Sequence, residues 1–123
     1  PLFGCSDAKQ RSESSDHLKS LAEAIYPYHE THQKWPDKLA DIKPLIGTDL
    51  GGVKIGRGKT YEELIKNPLT GDNPGYEYVK PPEMVDSSRN VIVLYQLRGG
   101  KRDESLKVGY LDGSVRMVGD DSP

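Results

Sequence analysis

The chain has 123 residues, which is enough for one domain but too few for two independent hydrophobic cores. Hydrophobic residues make up 34% of it and charged residues 29%, and no apolar run is long enough to span a membrane. A net charge of −2 with scattered basic residues argues against a nucleic-acid partner, and a single cysteine, Cys5, excludes an intramolecular disulfide or a multi-thiolate zinc site.

The first predicted element is a long amphipathic helix from about Asp7 to Tyr26. Residues 1–16 are mostly polar and form either a solvated extension of this helix or a frayed terminus, of which we expect the extension. Pro27 has no backbone donor and clashes with the preceding turn, so the helix should kink or end there. Any continuation to Gln33 should run at a new angle. The apolar side chains recur with helical spacing and form one buried face: Leu18, Leu21, Ala22, Ile25 and Tyr28.

A short second helix is predicted after Trp35-Pro36, a step that ends helical structure. Asp37 is a suitable N-cap, and Leu39 and Ile42 would share one face of the helix. Pro44 should stop it.

The segment from Gly47 to Lys59 contains five glycines and is predicted to be a loop. The pattern Thr60 to Glu63 is a capping box, which predicts a helix reaching about Lys66. Gly58-Lys59-Thr60 imitates the end of a phosphate-binding loop. Val53 stands where that loop requires a glycine, so the pattern does not predict phosphate binding.

Three turn signals between Asn67 and Gly75 precede a predicted first strand, Tyr76–Val79. Pro81-Pro82 should end this strand. The run Asn90–Leu97 is the most β-prone part of the chain and is predicted to be a central strand.

The last predicted element is a β-hairpin formed by Leu106–Leu111 and Ser114–Val118. Asp112-Gly113 joins the two runs, which predicts a type I′ turn with positive φ at both residues. The strands together predict a four-stranded antiparallel meander. The chain is therefore expected to be a single α+β domain, residues 1–123, with a long N-terminal helix packed on a C-terminal antiparallel meander.

Five stretches resemble parts of a known family. They are His17–Ile25, Tyr28–His32, Trp35-Pro36, Asn67–Tyr78 and Asp112–Arg116, and they follow one another in the family's order. The family is the pilin-like and pseudopilin-like proteins, of the planctomycete prepilin type related to the major pseudopilins of type II secretion.

The resemblance implies a pseudopilin-like fold and a non-enzymatic, structural role in a secretion or pilus-like assembly of the cell envelope. It implies a periplasmic or cell-surface location, with membrane anchoring in the full-length protein. The implied partners are other pilin or pseudopilin subunits, bound through an N-terminal helix upstream of Pro1. We expect this chain alone to be a monomer, since that upstream helix is the main association surface.

Two positions depart from the family pattern. Arg102 stands ten residues before Asp112, where the planctomycete group usually has a histidine, and Pro27 stands where the helix usually has asparagine.

An alternative interpretation rests on Leu2-Phe3-Gly4-Cys5, which resembles the lipobox of bacterial lipoproteins. The cysteine thiol of that motif carries the lipid, and the polar stretch Ser6–Ser15 suits a tether. The protein would then be a cell-surface binding module held through Cys5. A cysteine without a role is equally consistent with these four residues.

Metal binding and catalysis have few candidates. His29 and His32 have helical ligand spacing for a small metal-dependent enzyme, but no third ligand is identified. Asp112, Asp120 and Asp121 suggest a calcium site, although the turn already explains Asp112. No catalytic set is found, and we expect no enzyme activity, no cofactor and no metal.

Overall fold

The computed structural model describes residues 2–50, 52–85 and 87–118. Within them, an N-terminal pair of helices is followed by short irregular elements and then by an antiparallel sheet. This arrangement confirms the predicted α+β class. No helix in these ranges is both long and apolar enough to cross a membrane.

The N-terminal helix is divided in two, α1 (Leu2–Ala22) and α2 (Ile25–His32). The predicted irregularity is present, but the break lies at Glu23 and Ala24, upstream of Pro27. A proline ring clashes with the carbonyl four residues earlier, here that of Glu23, so the chain leaves the helix before that clash arises. Pro27 itself lies in the first turn of α2, where its missing N–H has no partner to lose.

The apolar face of these helices packs into the core. Leu18, Leu21, Ala22 and Ile25 are fully buried, and Tyr28 is nearly so. The four fully buried residues belong to one cluster with apolar residues of the sheet and of the connecting segments: Trp35, Ile42, Ile55, Leu64, Tyr76, Val93, Leu94 and Leu111.

The predicted second helix is a 3₁₀ helix, Leu39–Leu45, that contains Pro44 instead of ending before it. Asp37 is not its cap. The carboxylate of Asp41 accepts hydrogen bonds from the backbone N–H groups of Asp37 and Lys38, at 3.0 and 3.2 Å. The capping carboxylate therefore belongs to Asp41, a residue of the helix itself, which lies close to the backbone N–H groups of Asp37 and Lys38.

The glycine-rich segment is not entirely loop. It contains a short antiparallel hairpin of β1 (Asp49–Leu50) and β2 (Val53–Lys54). Helix α3 (Tyr61–Leu64) follows, and Thr60 and Glu63 form the predicted capping box. The Glu63 N–H donates to Thr60 Oγ1 at 3.2 Å, and the Thr60 N–H donates to Glu63 Oε1 at 3.1 Å. The helix is shorter than predicted, since Ile65 is already its C-cap.

The C-terminal sheet contains the predicted four-stranded meander. Its four strands lie side by side in the order in which they occur in the chain, and every pair is antiparallel. A fifth strand, β5 (Lys101–Arg102), pairs with the end of the central strand. The four meander strands are β3 (Tyr76–Tyr78), β4 (Ile92–Arg98), β6 (Val108–Tyr110) and β7 (Val115–Arg116).

The terminal hairpin is present, but the predicted type I′ turn is wrong. The Gly113 N–H donates to Tyr110 O and the Tyr110 N–H donates to Ser114 O, both at 2.9 Å, so the loop has three residues. Gly113 has a φ of +88°, whereas Asp112 does not have a positive φ. This is a type I turn followed by a left-handed glycine. Burial of Leu111 in the core favours the longer loop.

Candidate functional site: a buried polar cluster beneath helix α1

Polar side chains continue the buried face of α1 toward its N-terminus. Ser14 lies one turn before Leu18 and is fully buried, and His17 is 6% exposed. This corrects the expectation that residues 1–16 form a solvated extension, since Ser14 belongs to the interior. From residue 8 onward, where the side chains of α1 are described, those of residues 8–12 form a continuous exposed stretch.

The Ser14 hydroxyl lies among three oxygens from distant parts of the chain. It is 2.5 Å from Gln96 Oε1, 3.1 Å from Asn67 Oδ1 and 3.2 Å from the Tyr76 hydroxyl. A hydroxyl has one proton, so Ser14 donates to one amide oxygen at a time, and the short distance favours Gln96. We call Ser14, Asn67, Tyr76 and Gln96 the polar cluster.

Asn67 connects the polar cluster to the turn that precedes the sheet. Its amide nitrogen donates to Gln96 Oε1 at 3.0 Å and to Gly75 O at 3.3 Å. Its oxygen accepts from the N–H of Leu69 at 2.9 Å. A Cβ at position 75 would lie 2.2 Å from the Cβ of Asn67, so only glycine allows this approach.

Tyr76 and Gln96 complete the polar cluster from β3 and β4. The Tyr76 hydroxyl donates to the backbone oxygen of Ser14 at 3.2 Å, and Gln96 Nε2 donates to Lys107 O at 3.2 Å. Burial raises the pKa of Tyr76 well above its ordinary value, so the hydroxyl stays protonated and able to donate.

The chemistry of the polar cluster is structural. The neighbours of the Ser14 hydroxyl are amide and phenol oxygens, and these are too weakly basic to activate it as a nucleophile. Satisfied buried hydrogen bonds instead select one geometry, because any other leaves polar groups unpaired in a low-dielectric interior. The cluster therefore fixes how α1 sits on the sheet.

His17 lies beside the polar cluster and makes two hydrogen bonds. Its Nδ1 is 2.8 Å from Lys66 O, and its Nε2 is 2.8 Å from Lys59 Nζ. Its ring also meets the ring of Tyr76 edge-on, with the centroids 6.5 Å apart. Burial is the main effect that lowers the pKa of His17 below 6.5, aided by the positive charge of Lys59.

An open groove of about 710 Å³ runs between the first half of α1 and the adjacent end of the sheet. Its charged lining residues are Arg11 and Asp16 from α1, Arg98 from β4 and Lys107 from the loop before β6. Arg98 is paired with Asp103 at 2.9 Å. Gln96 of the polar cluster also lines this groove.

His29 and His32 do not form a joint site. The ring of His29 stacks on Trp35 and that of His32 stacks on Tyr28, each with centroids 4.0 Å apart. His32 Nδ1 is also 3.1 Å from the carbonyl of Tyr28. Across residues 2–50, 52–85 and 87–118, no three histidine, cysteine or acidic side chains are grouped so as to hold a metal ion.

The other sequence candidates lie apart from one another. Asp112 Oδ1 accepts from the N–H and the hydroxyl of Ser114, at 2.9 and 2.6 Å, within the hairpin turn. Asp120 and Asp121 fall outside the described residues, and Cys5 lies in α1.

Lys59 and Thr60, which resemble the end of a phosphate-binding loop in sequence, have other roles. Lys59 contacts His17, and Thr60 caps α3.

Sequence reasoning missed the polar cluster, although one signal for it exists. Ser14 precedes Leu18 by one helical turn and Leu21 by two, and this spacing places it on the same buried face of α1. Asn67 and Gln96 carry no comparable signal, because their partners lie far away in the chain.

Comparison of the chain with protein-family models, with curated proteins and with solved structures finds no match in any of the three.

Proposed function

We propose that this protein is a non-enzymatic structural subunit of a secretion or pilus-like assembly in the cell envelope, periplasmic or at the cell surface. The main support is the division of α1. Leu18 and Leu21 make its second half part of the core, while the side chains of residues 8–12 are exposed. A helix held rigidly by one half can present the other half to neighbouring subunits.

The polar cluster supports the same role. Ser14 joins α1 to Asn67 and Gln96 through buried hydrogen bonds, so the direction of the exposed stretch, residues 8–12, is set by the body of the domain. A subunit of a regular assembly needs such a defined direction. We propose other pilin or pseudopilin subunits as partners, bound through α1 and through a helical segment upstream of Pro1 that anchors the full-length protein.

Site-specific cross-linking of the full-length protein in its own cells tests this proposal. A photoreactive side chain at Lys9, in the exposed stretch of α1, should give a ladder of cross-linked oligomers in the envelope fraction. The matched control is Glu30, which is exposed on α2. We expect it to give far fewer products. Monomers alone from Lys9, or equal ladders from both positions, would contradict the proposal.

The lipoprotein alternative makes a separate prediction. If the protein is a binding module tethered through Cys5, the parent protein incorporates labelled palmitate and Cys5→Ser abolishes this incorporation. Under our proposal the variant stays in the envelope fraction and the parent protein carries no palmitate.

A further inference from the structure

We propose that His17 is a pH-sensitive clamp between α1 and the segment Lys59–Asn67, closed while its imidazole is neutral and loosened when it is protonated. This proposal does not depend on the proposed function. It rests on the two hydrogen bonds of the ring and on what surrounds them.

The contacts determine which ring nitrogen carries the proton. The ammonium group of Lys59 has only donors, so it donates to Nε2, which must be the unprotonated nitrogen. The proton is then on Nδ1, which donates to the carbonyl of Lys66 at 2.8 Å. Both nitrogens of the neutral ring are satisfied, and both bonds tie α1 to the same segment.

Protonation of Nε2 removes the hydrogen bond to Lys59. It also brings the positive charge of the imidazolium next to the positive charge of the Lys59 ammonium. The nitrogen changes from acceptor to donor, and it faces the ammonium of Lys59 at a distance of 2.8 Å. His17 is 6% exposed, so water cannot solvate the new charge while the clamp is closed. Opening the contact relieves both the repulsion and the loss of solvation.

Burial and the polar and charged groups described around His17 set this balance. Burial lowers its pKa most strongly, the Lys66 carbonyl raises it, Lys59 lowers it, and the carboxylates of Glu13 and Asp16 raise it. Tyr76, which faces the ring from β3, keeps its proton and stays neutral. The two carboxylates lie on α1 itself, so they do not hold the segment Lys59–Asn67.

The direction of the pH effect follows from the lowered pKa. The clamp is fully effective above pH 6.5, which is the ordinary pKa of histidine. It weakens as the pH falls toward the lower pKa of the closed state, and opening becomes favoured by up to roughly tenfold per pH unit within that window.

Hydrogen exchange measures the opening. Amide protection in residues 59–72, corrected for the intrinsic effect of pH on exchange, is compared at about pH 7.5 and about pH 5. We expect a several-fold loss of protection at the lower pH in the parent chain. In His17→Gln, whose amide can make both bonds without titrating, the loss should disappear. His32→Gln is the matched control and should behave as the parent.

Equal protection of the parent at both pH values, or an unchanged loss in His17→Gln, overturns the proposal. Nitrogen NMR of the parent chain gives a second test that needs no variant. It should show the proton on Nδ1 and a pKa below 6.5 for His17. A proton on Nε2, or a pKa of 6.5 or higher, would equally overturn the clamp.

Discussion

The Ser14 hydroxyl lies 2.5 Å from the side-chain oxygen of Gln96, a residue 82 positions further along the chain. This contact joins the first helix to the central strand inside the protein, where water does not compete for it. It defines the position of α1 on the sheet more narrowly than apolar packing alone, because a hydrogen bond depends on direction as well as distance.

Ser14→Ala tests the polar cluster. The variant removes the Ser14 donor from Gln96 Oε1, which still accepts from Asn67 Nδ2. We therefore expect the free energy of unfolding to fall by the worth of one hydrogen bond, about 0.5–1.5 kcal/mol. Ser12→Ala, at an exposed position of the same helix, should change it by less than about 0.5 kcal/mol. Urea denaturation measures both. Equal stability of the two variants would mean that the cluster contributes nothing.

Leu21→Ala tests the apolar face of α1. Leu21 is fully buried, and removing its side-chain methyl groups should lower the free energy of unfolding by about 2–5 kcal/mol. Leu50→Ala is the matched control because Leu50 is 39% exposed, and we expect it to cost less than about 0.5 kcal/mol. Thermal or urea unfolding that gives similar losses for both leucines would show that α1 does not pack as described.

Gly113→Val and Asp112→Asn separate the two residues of the hairpin turn. Gly113 has a φ of +88°, and a β-branched residue there should cost about 1–3 kcal/mol. Asp112→Asn keeps an oxygen that accepts from Ser114, so its effect should stay below about 0.5 kcal/mol. Urea denaturation with and without calcium measures both effects. A large loss of stability or of calcium affinity in Asp112→Asn would make Asp112 a metal ligand.

Alkaline titration tests the burial of three of the seven tyrosines. Burial raises the pKa values of Tyr61, Tyr76 and Tyr78 above the ordinary value of 10.0. A pKa that is higher in the folded state than in the unfolded state stabilises the fold below pH 10.0. This stabilisation is lost as the pH rises further. Absorbance should therefore show Tyr61, Tyr76 and Tyr78 ionising above pH 10.0, together with unfolding. Seven simultaneous ionisations before unfolding would contradict this.

Local patterns predicted the elements that depend on neighbouring residues. The stripe containing Leu18 and Ile25 predicted the buried face, and Thr60 with Glu63 predicted the cap of α3. The turn at Asp112-Gly113 was predicted at the right place but with the wrong type. Its loop length depends on the burial of Leu111, which a local pattern does not contain.

By itself, the sequence determined the α+β class, the order of the N-terminal helix and the four meander strands, and the apolar face of α1, because helical and strand periodicity are properties of short stretches. Only the tertiary structure decided that Ser14 is buried, and that it meets Asn67 and Gln96. It also decided that both nitrogens of His17 are engaged. These contacts join residues 42 to 82 positions apart, and a buried polar group is stable only where the whole fold brings its partner to it.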